Sequence, residues 1–436
     1  MDNKKAFNEG IMDARTLGIP KMTVLGLQHM FAMFGATVLV PAITGLSVSA
    51  TLLFAGLGTL LFHWICKWQV PAFLGSSFAF IGGYAAVTEM GKTAGLSVAE
   101  SLPYACVGVA CAGLLYFVLA GCIKAYGVQK VMKFFPPVVT GPIIIAIGLT
   151  LSGSAITNCT ANWGIAALAI ILVVVCNIYG RGMIKIIPIL IGVAGSYAVA
   201  ACFNQVDFSR VSEAAWIGLP FKAEDTVLPV LQNPDTSLLI SSIICVMPIA
   251  LATMLEHIGD ICAISSTVGR NYLSKPGLHR TLIGDGLATI AASLFGAPAN
   301  TTYGENTGVL NLTRVFDPRV IRIAACFAIL FSFSPKFSAL VSSMPTATIG
   351  GVSLVLYGMI AAVGVRNIVE SKVDFTKSRN VIIAALILVL AIGIKYGNND
   401  AISIGFTSLS GLAVAAIVGI LLNAILPGKD YTFKKD

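Results

Sequence analysis

Charged residues are scarce in this sequence. Lys, Arg, Asp and Glu make up 11% of its 436 residues, against roughly 25% in an ordinary soluble protein. Hydrophobic residues supply 56%, and the mean hydropathy is +0.87. So few charges cannot cover so much apolar surface in water, which excludes a cytosolic enzyme, a nucleic-acid-binding domain and a disordered chain. Because the apolar runs 165–176 and 381–392 lack the alternation of barrel strands, the sequence predicts an all-α polytopic membrane protein.

Motifs for metal binding and catalysis are also missing. The ten cysteines are scattered without a CxxC pair, so neither a disulfide framework nor a zinc site is expected. The pair Glu256 and His257 lacks the HExxH spacing of zinc hydrolases. The sequence therefore predicts no enzyme, no metal site and no cofactor.

Fourteen segments have roughly the apolar length that a membrane span requires, about 20 residues. They are 22–43, 50–66, 70–88, 101–123, 134–154, 162–179, 186–204, 237–260, 281–297, 301–313, 320–341, 346–365, 380–396 and 401–426. Segments three and ten are irregular, since each carries Gly, Pro and hydroxyl residues, at 71–77 and 296–304. Such interrupted spans are typical of transporter binding sites.

The distribution of Lys and Arg gives the expected orientation. With the amino terminus inside, 23 of the 28 basic residues fall in inner loops and tails. The outer loops hold the other five, which are Lys92, Arg210, Lys222, Lys336 and Lys395. Basic residues concentrate on the cytoplasmic side of membrane proteins. We therefore expect a multi-pass protein of the cell membrane with both termini cytoplasmic; the polar first 21 residues do not indicate a cleavable signal peptide.

The two halves of the chain echo each other in order. Gln28-His29 in segment one corresponds to Glu256-His257 in segment eight, and Ser77 in segment three corresponds to Thr302 in segment ten. Seven spans per half is an odd number, so the second half is expected to be inverted in the membrane. Inverted repeats bring their broken helices together near the midplane.

Four carboxylates lie inside predicted spans: Glu256, Asp260, Asp285 and Glu305. Each costs roughly 3 kcal/mol at a helix centre, so such residues are usually functional. Glu256 and Asp260 are four residues apart and share a helix face. The alternative is that some are neutral or pair with Arg or backbone groups near the inner interface. His257 points to a different face and suits a structural role.

The polar turn 300–306 and its counterpart 75–78 offer free backbone groups next to an aromatic residue. A carboxylate facing two adjacent N–H groups is a natural partner for a cyclic imide or amide. A flat, neutral, hydrogen-bonding heterocycle therefore fits better than an inorganic anion, which would require Arg or Lys.

Several blocks carry a resemblance to a known family over essentially the whole chain. They are 28–37, 75–80, 256–260, 276–280 and 302–314, the last containing Glu305-Asn306-Thr307-Gly308 and ending Thr313-Arg314. In these blocks the chain resembles the nucleobase–ascorbate transporter family, and within it the bacterial uracil and uracil–xanthine permeases.

The resemblance implies a fold and its division. The family fold has fourteen spans in two inverted repeats of seven, with short strands in spans three and ten. Its core domain would comprise 1–133 and 237–341, and its gate domain 134–236 and 342–436. The resemblance also implies a homodimer in membrane lipid and import of a nucleobase coupled to protons, with no nucleic-acid partner.

The resemblance also assigns residues. Glu256 and Glu305 would bind the base, and Phe78, Tyr303 and Gly304 would line its pocket.

Asp260, Asp285 and His29 are candidates for proton coupling or specificity. Acidic residues at 260 and 285 resemble the xanthine and urate branch, whereas Glu305 resembles the uracil branch. We expect uracil as the substrate, with xanthine or another purine as the alternative. An anion transporter of similar fold is less favoured because the predicted site contains no Arg or Lys.

Overall fold

The computed structural model describes residues 10–397, 401–404 and 407–428. The two ends predicted to be cytoplasmic, 1–9 and 429–436, lie outside the described residues.

Helices dominate the first half of the chain. Its elements are α1 Ile19–Thr44, α2 Val48–Ile65, β1 Leu74–Ser76, α3 Ile81–Thr93, α4 Val98–Tyr126, α5 Pro137–Cys159, α6 Trp163–Tyr179 and α7 Pro188–Cys202. Short helical turns connect them at Ala14–Leu17, Val128–Met132, Met183–Ile186, Ser209–Glu213, Ala223–Asp225 and Leu228–Gln232.

The second half of the described chain is also mainly helical and contains three strands. Its elements are α8 Thr236–Val246, α9 Ala250–Val268, α10 Leu278–Leu294, β2 Asn300–Thr302, α11 Gly304–Thr313, α12 Pro318–Ser332, α13 Pro335–Ser342, α14 Thr346–Glu370, α15 Ser378–Gly397, β3 Ala401–Ile404, β4 Thr407–Ser410 and α16 Gly411–Ile425. The turns Met247–Ile249 and Leu273–Gly277 flank α9. The strands β1 and β2 lie within the irregular segments three and ten.

Local sequence explains where several helices begin. Ser97 and Glu100 form a capping box at α4, in which each side chain accepts a hydrogen bond from the other residue's backbone N–H. Asp235 accepts bonds from two backbone N–H groups at the start of α8, and Asn162 does the same at α6. These side chains satisfy donors that the first helical turn leaves free.

Seven helices in the described part of the chain are long and apolar enough to cross a membrane. One of the seven is α8 joined to α9, a 33-residue unit. The count becomes eight if α12 and α13 are one broken span, while α6, α7 and α16 are apolar but shorter. The protein is therefore a helical multi-pass membrane protein, and the count of fourteen spans stays a prediction.

Two predicted segments are discontinuous. Segment eleven bends by 87° between α12 and α13, where Ser334 caps the new helix and Pro335 opens it. Segment fourteen begins with the antiparallel hairpin β3–β4, and α16 starts only at Gly411. Ser410 accepts a hydrogen bond from the N–H of Ala413. Because Ser favours a helix cap over a helix interior, the apolar run becomes helical only after it.

The long helices pack in two groups. In the first, α4 and α2 flank α10, and α12 packs on α1 and α2. In the second, α5 packs along α14 and contacts α15 and α16, and α6 lies between α7 and α14. Glycines allow the closest approaches: Gly113 faces the carbonyl of Gly286 in the first group, and Gly141 faces that of Gly364 in the second. Small residues at helix crossings are typical of membrane proteins.

Candidate functional site

The two short strands β1 and β2 pair with each other in the first helix group. Their antiparallel register places Gly75 opposite Thr301. The N–H of Ser77 bonds the carbonyl of Ala299 at 2.8 Å. Since α3 and α11 begin soon after the paired strands, two half-helix N-termini lie next to the strand pair. This arrangement follows from the Gly- and hydroxyl-rich sequences, which interrupt each apolar run.

Side chains of neighbouring helices form hydrogen bonds with the backbone groups at the outer edges of the strand pair. Thr59 of α2 accepts from the N–H of Leu74 at 2.9 Å and donates to its carbonyl at 3.3 Å. Thr289 of α10 donates to the carbonyl of Asn300 at 2.8 Å, and the Asn300 amide donates to the carbonyl of Phe54. An isolated pair of two strands is only marginally stable. The surrounding helices therefore stabilise it where no further strand pairs.

An open space borders the first turn of α11. Its N-cap residue Tyr303 gives no side-chain cap to this helix, which leaves the N–H of Gly304 without a capping partner among the described residues. A Cβ added to Gly259 or Gly308 would meet no described atom within 4 Å. A Cβ at Gly304 would meet only Oδ1 of Asp260, at 3.7 Å, among the described residues. Glycine thus keeps the space between α9 and α11 clear.

Three carboxylates are half-buried at this space: Glu256 and Asp260 on α9, and Glu305 in the first turn of α11. Glu256 and Glu305 are close enough for their charges to interact. Asp260 accepts a hydrogen bond at 2.9 Å from the hydroxyl of Thr302. A carboxylate near a helix N-terminus is favoured by the helix dipole. The structure therefore brings together these three predicted residues and the backbone of Gly304, as acceptors and donors on one space.

Asp285 lies apart from that space. Its side chain and that of His257 have no exposed surface, and Asp285 Oδ2 lies 3.1 Å from His257 Nδ1. The sequence analysis did not anticipate this pair. The available signal was a histidine beside Glu256 on an inward face of an apolar helix, where a buried imidazole requires a polar partner.

His29 is also completely buried. The amide nitrogen of Asn306 lies 3.2 Å from His29 Nδ1 and donates to the His29 carbonyl at 3.1 Å. His29 thus ties α1 to α11 one residue after Glu305. Asn306 is a residue whose role the sequence analysis missed, although it lies in the polar turn that was singled out.

The two aromatic candidates, Tyr303 and Phe78, differ in what their rings contact. The Tyr303 hydroxyl donates to the carbonyl of Ser76 at 2.8 Å, and its ring packs where a Cβ on Gly75 would lie. Its side chain therefore holds β1 to β2, and its backbone borders the site. The Phe78 ring lies edge-on to Tyr357 of α14 with centroids 6.3 Å apart. Phe78 thus contacts the second helix group.

Among the residues that the structure describes, no group of three or more His, Cys, Asp and Glu side chains is arranged to hold a metal ion.

Sequence comparison decides the family. A model of the Permease family (Xan_ur_permease) matches residues 20–399. The chain belongs to this permease family. The uracil permease of Bacillus caldolyticus is 44% identical over 428 residues, covering 96% of this chain and 94% of that protein. The uracil permease of Bacillus subtilis (strain 168) is 41% identical, with coverages of 98% and 96%, and that of Escherichia coli (strain K12) is 37% identical, with coverages of 92% and 90%.

Structural comparison finds the same fold in distant transporters. The transmembrane domain of the cyanobacterium bicarbonate transporter BicA matches with a TM-score of 0.59 at 14% identity, covering 95% of this permease and 99% of that chain. SLC26A9 matches with a TM-score of 0.65 at 11% identity, covering 95% and 66%. At such low identity the likeness concerns the fold alone.

Proposed function

We propose that this permease imports a nucleobase, uracil in particular. The observation that carries the proposal is the open space at the first turn of α11, where the half-buried carboxylates of Glu256 and Glu305 lie beside free backbone donors. Uracil alternates N–H donors with carbonyl acceptors on one flat edge. An ionised carboxylate only accepts, so the two kinds of group complement this edge. The relatives named uracil permeases, at 44% and 41% identity over nearly the whole chain, support the same substrate.

The contacts within the site follow from this chemistry. Glu256 and Glu305 accept from the N–H groups of the base, and the N–H of Gly304 faces one of its carbonyls. Tyr303 lines the site with its backbone, while its own N–H donates to the carbonyl of Phe73 at 3.0 Å. The ring of Phe78 covers the flat face of the base. Glu305 is the residue that favours uracil over xanthine, because a carboxylate rejects an edge that presents a carbonyl at the same place.

Transport by alternating access is supported by the two helix groups. We assign residues 1–133 and 237–341 to a core domain that carries the strand pair, and 134–236 and 342–436 to a gate domain. The contact between Phe78 and Tyr357 joins the two. A rigid movement of one group against the other would open the site to each side in turn. We further propose the inverted fourteen-span topology, cytoplasmic termini in the plasma membrane, and a homodimer, as the family resemblance implies.

Proton symport completes the proposal. A neutral base needs a driving ion to be concentrated, and the membrane potential supplies roughly 2.3 kcal/mol per charge per 100 mV. Asp260, Asp285 and His29 are the candidates for carrying the proton or setting specificity, since Asp260 borders the site and Asp285 and His29 are buried within the surrounding apolar helices.

Uptake of radiolabelled uracil into proteoliposomes tests this function. A pH gradient, acidic outside, should drive accumulation above equilibrium, and a protonophore should abolish accumulation while exchange of uracil persists. Unlabelled uracil should compete better than xanthine. Stronger competition by xanthine would assign a purine permease, and base-independent bicarbonate flux would assign an anion transporter. Dependence on sodium without response to pH would contradict proton coupling.

A further inference from the structure

A chain of polar side chains leads from the open space into the sealed interior of the first helix group. It begins at the half-buried Asp260, whose Oδ2 lies 2.9 Å from the hydroxyl of Thr302. The same hydroxyl lies 3.4 Å from Nδ1 of His257, and that nitrogen lies 3.1 Å from Oδ2 of Asp285. Two hydrogen-bond contacts of the Thr302 hydroxyl and one ion-pair distance therefore join a group at the open space to a pair that has no exposed side-chain surface.

The buried pair can hold one proton. An isolated charge is costly in a sealed interior unless it is paired. Neutral imidazole beside a carboxylate carries one negative charge, and a single added proton converts the two into an imidazolium–carboxylate pair without net charge. Nε2 of His257 and both carboxylate oxygens of Asp285 have no hydrogen-bond partner within the described part of the chain. The 3.1 Å contact between Nδ1 and Oδ2 is therefore an ion-pair distance, which becomes a charge pair when His257 is protonated. Among the described side chains, the hydrogen-bond path from the His257–Asp285 pair to Asp260 therefore runs through the hydroxyl of Thr302.

The groups that face the pair are mainly acids. On α9 they are Glu256 and Asp260, and on α11 Glu305. The neighbouring titratable groups on α4 and α2 are occupied: the Tyr116 hydroxyl donates to Thr253 at 2.7 Å, and His63 Nε2 lies 2.8 Å from the carbonyl of Ala72. The guanidinium of Arg280 on α10 donates to the carbonyl of Ile65.

We propose that the His257–Asp285 pair stores the coupled proton and that the hydroxyl of Thr302 relays it to and from Asp260. Before the inward step, neutral His257 carries its proton on Nε2, so Nδ1 can accept. Protonated Asp260 then gives its proton to Oγ1 of Thr302 while the Thr302 hydroxyl gives its own proton to Nδ1 of His257. Two O–H bonds break, and one O–H and one N–H bond form. This leaves an Asp260 carboxylate and an imidazolium beside Asp285. The described hydroxyl donates to Asp260, which is the orientation of the return step, and rotation of the hydroxyl alone prepares the inward step.

This inference rests on the proposed proton symport and assigns substrate binding and proton storage to different side chains. Glu256 and Glu305 keep their acceptors for the base, while the proton resides on side chains that the base does not touch. Removing the relay should therefore separate binding from coupling. Thr302→Val replaces the hydroxyl by a methyl group of similar size. Thr301→Val on the same strand is the matched control, because the Thr301 hydroxyl has no hydrogen-bond partner among the described residues.

The experiment compares two quantities in proteoliposomes. They are the rate of uracil exchange without a gradient and the accumulation ratio of uracil under an acidic exterior. Thr302→Val should keep exchange within about threefold of the wild type but reduce the accumulation ratio to near one. Thr302→Ser, which retains a hydroxyl, should restore accumulation, and Thr301→Val should behave as the wild type. Equal accumulation by Thr302→Val and the wild type would overturn the relay, as would equal losses in the two valine variants.

Asp285→Asn provides a second route if Thr302→Val does not fold. It should bind uracil, detected as protection against thermal unfolding, yet fail to accumulate it. Accumulation like that of the wild type would overturn the storage role of the pair. A wild type that accumulates no uracil under a pH gradient would instead contradict the proposed function, so the two failures are distinguishable.

Discussion

The two strand–helix units of the permease share a backbone and differ in chemistry. In each, a three-residue strand precedes a half-helix, and the two strands pair antiparallel. The first unit contributes Ser76, Ser77 and the ring of Phe78, whereas the second contributes Glu305 and the free donors at Gly304. The paired strands thus provide a common scaffold, and among the described residues the second unit provides the charged side chain at the site. An asymmetric substrate requires this, because a symmetric site could not match its different edges.

The far ends of the two half-helices differ as well. After α3 the chain turns at the exposed loop 94–97. After α11 the segment 10–17 pairs with the chain: the N–H of Ile11 bonds the carbonyl of Arg314, and the N–H of Ala14 bonds Oδ2 of Asp317 at 2.8 Å. The unit that carries Glu305 is therefore anchored at both ends.

The largest expected effect on transport comes from replacing a glutamate by glutamine in the second strand–helix unit and, as a control, in the first. Glu305→Gln replaces an acceptor by an amide that offers a donor to the N–H of the base. Since hydrogen bonds to charged groups contribute about 1.5–3 kcal/mol, uracil uptake at low concentration should fall by about 100-fold. Glu89→Gln on α3 is the control, because Glu89 pairs with Lys92 at the exposed surface and such pairs contribute about 0–1 kcal/mol. Similar uptake in both variants would remove Glu305 from the site.

The next effect tests the scaffold that the units share. A Cβ at Gly75 would lie 2.6 Å from the Tyr303 ring and 2.7 Å from the hydroxyl of Thr37. Gly75→Ala should therefore lower the free energy of unfolding by about 1–3 kcal/mol, as overpacking does. Gly82→Ala is the control, since a Cβ at Gly82 meets no described atom within 4 Å. Both variants are compared with the wild type by the midpoint of thermal unfolding of the purified permease. An unchanged midpoint for Gly75→Ala would mean that the strand pair can shift to accommodate the added methyl group.

A smaller effect concerns the aromatic of the first unit. Phe78→Leu removes a ring that we propose covers the base, and aromatic contacts contribute about 0.5–1.5 kcal/mol beyond area. The apparent affinity for uracil should fall by about threefold to tenfold. Tyr357→Phe keeps the ring that faces Phe78 and should leave affinity unchanged. If Phe78→Leu slowed transport at unchanged affinity, Phe78 would act only at the contact between the helix groups.

The smallest effect concerns the anchored end of α11 and depends on pH. The hydrogen bond from the Arg15 guanidinium holds the pKa of Asp13 well below its usual range, and Arg319 adds to this. Stabilisation by an acid of lowered pKa is present above its ordinary value, about 3.9, and is lost as the pH falls further. Asp13→Asn should thus lower the Tm slightly at pH 7 and have less effect below pH about 4. Arg319→Gln should act similarly, and the double variant should add little; fully additive losses would contradict a shared anchor.

Several features of the site could be predicted from the sequence because each depends on neighbours along the chain. Glu256 and Asp260 lie one helical turn apart, so their common face follows from helix geometry. The interruptions around Gly75 and Gly304 follow from residues that break helices. The bend between α12 and α13 was missed, although Pro335 marks it, because hydropathy alone read segment eleven as continuous.

By itself the sequence determined that this is a helical multi-pass membrane protein of the permease family, since composition and local motifs are properties of the chain alone. Only the tertiary structure decided which polar groups meet. It separated Asp285 from the open space and joined it to His257, turned the Tyr303 side chain into a brace for β1, and linked Thr302 to Asp260. Such contacts join residues up to 227 positions apart. They depend on how helices rotate and pack, and a periodic apolar sequence leaves that rotation open until the neighbouring helices are in place.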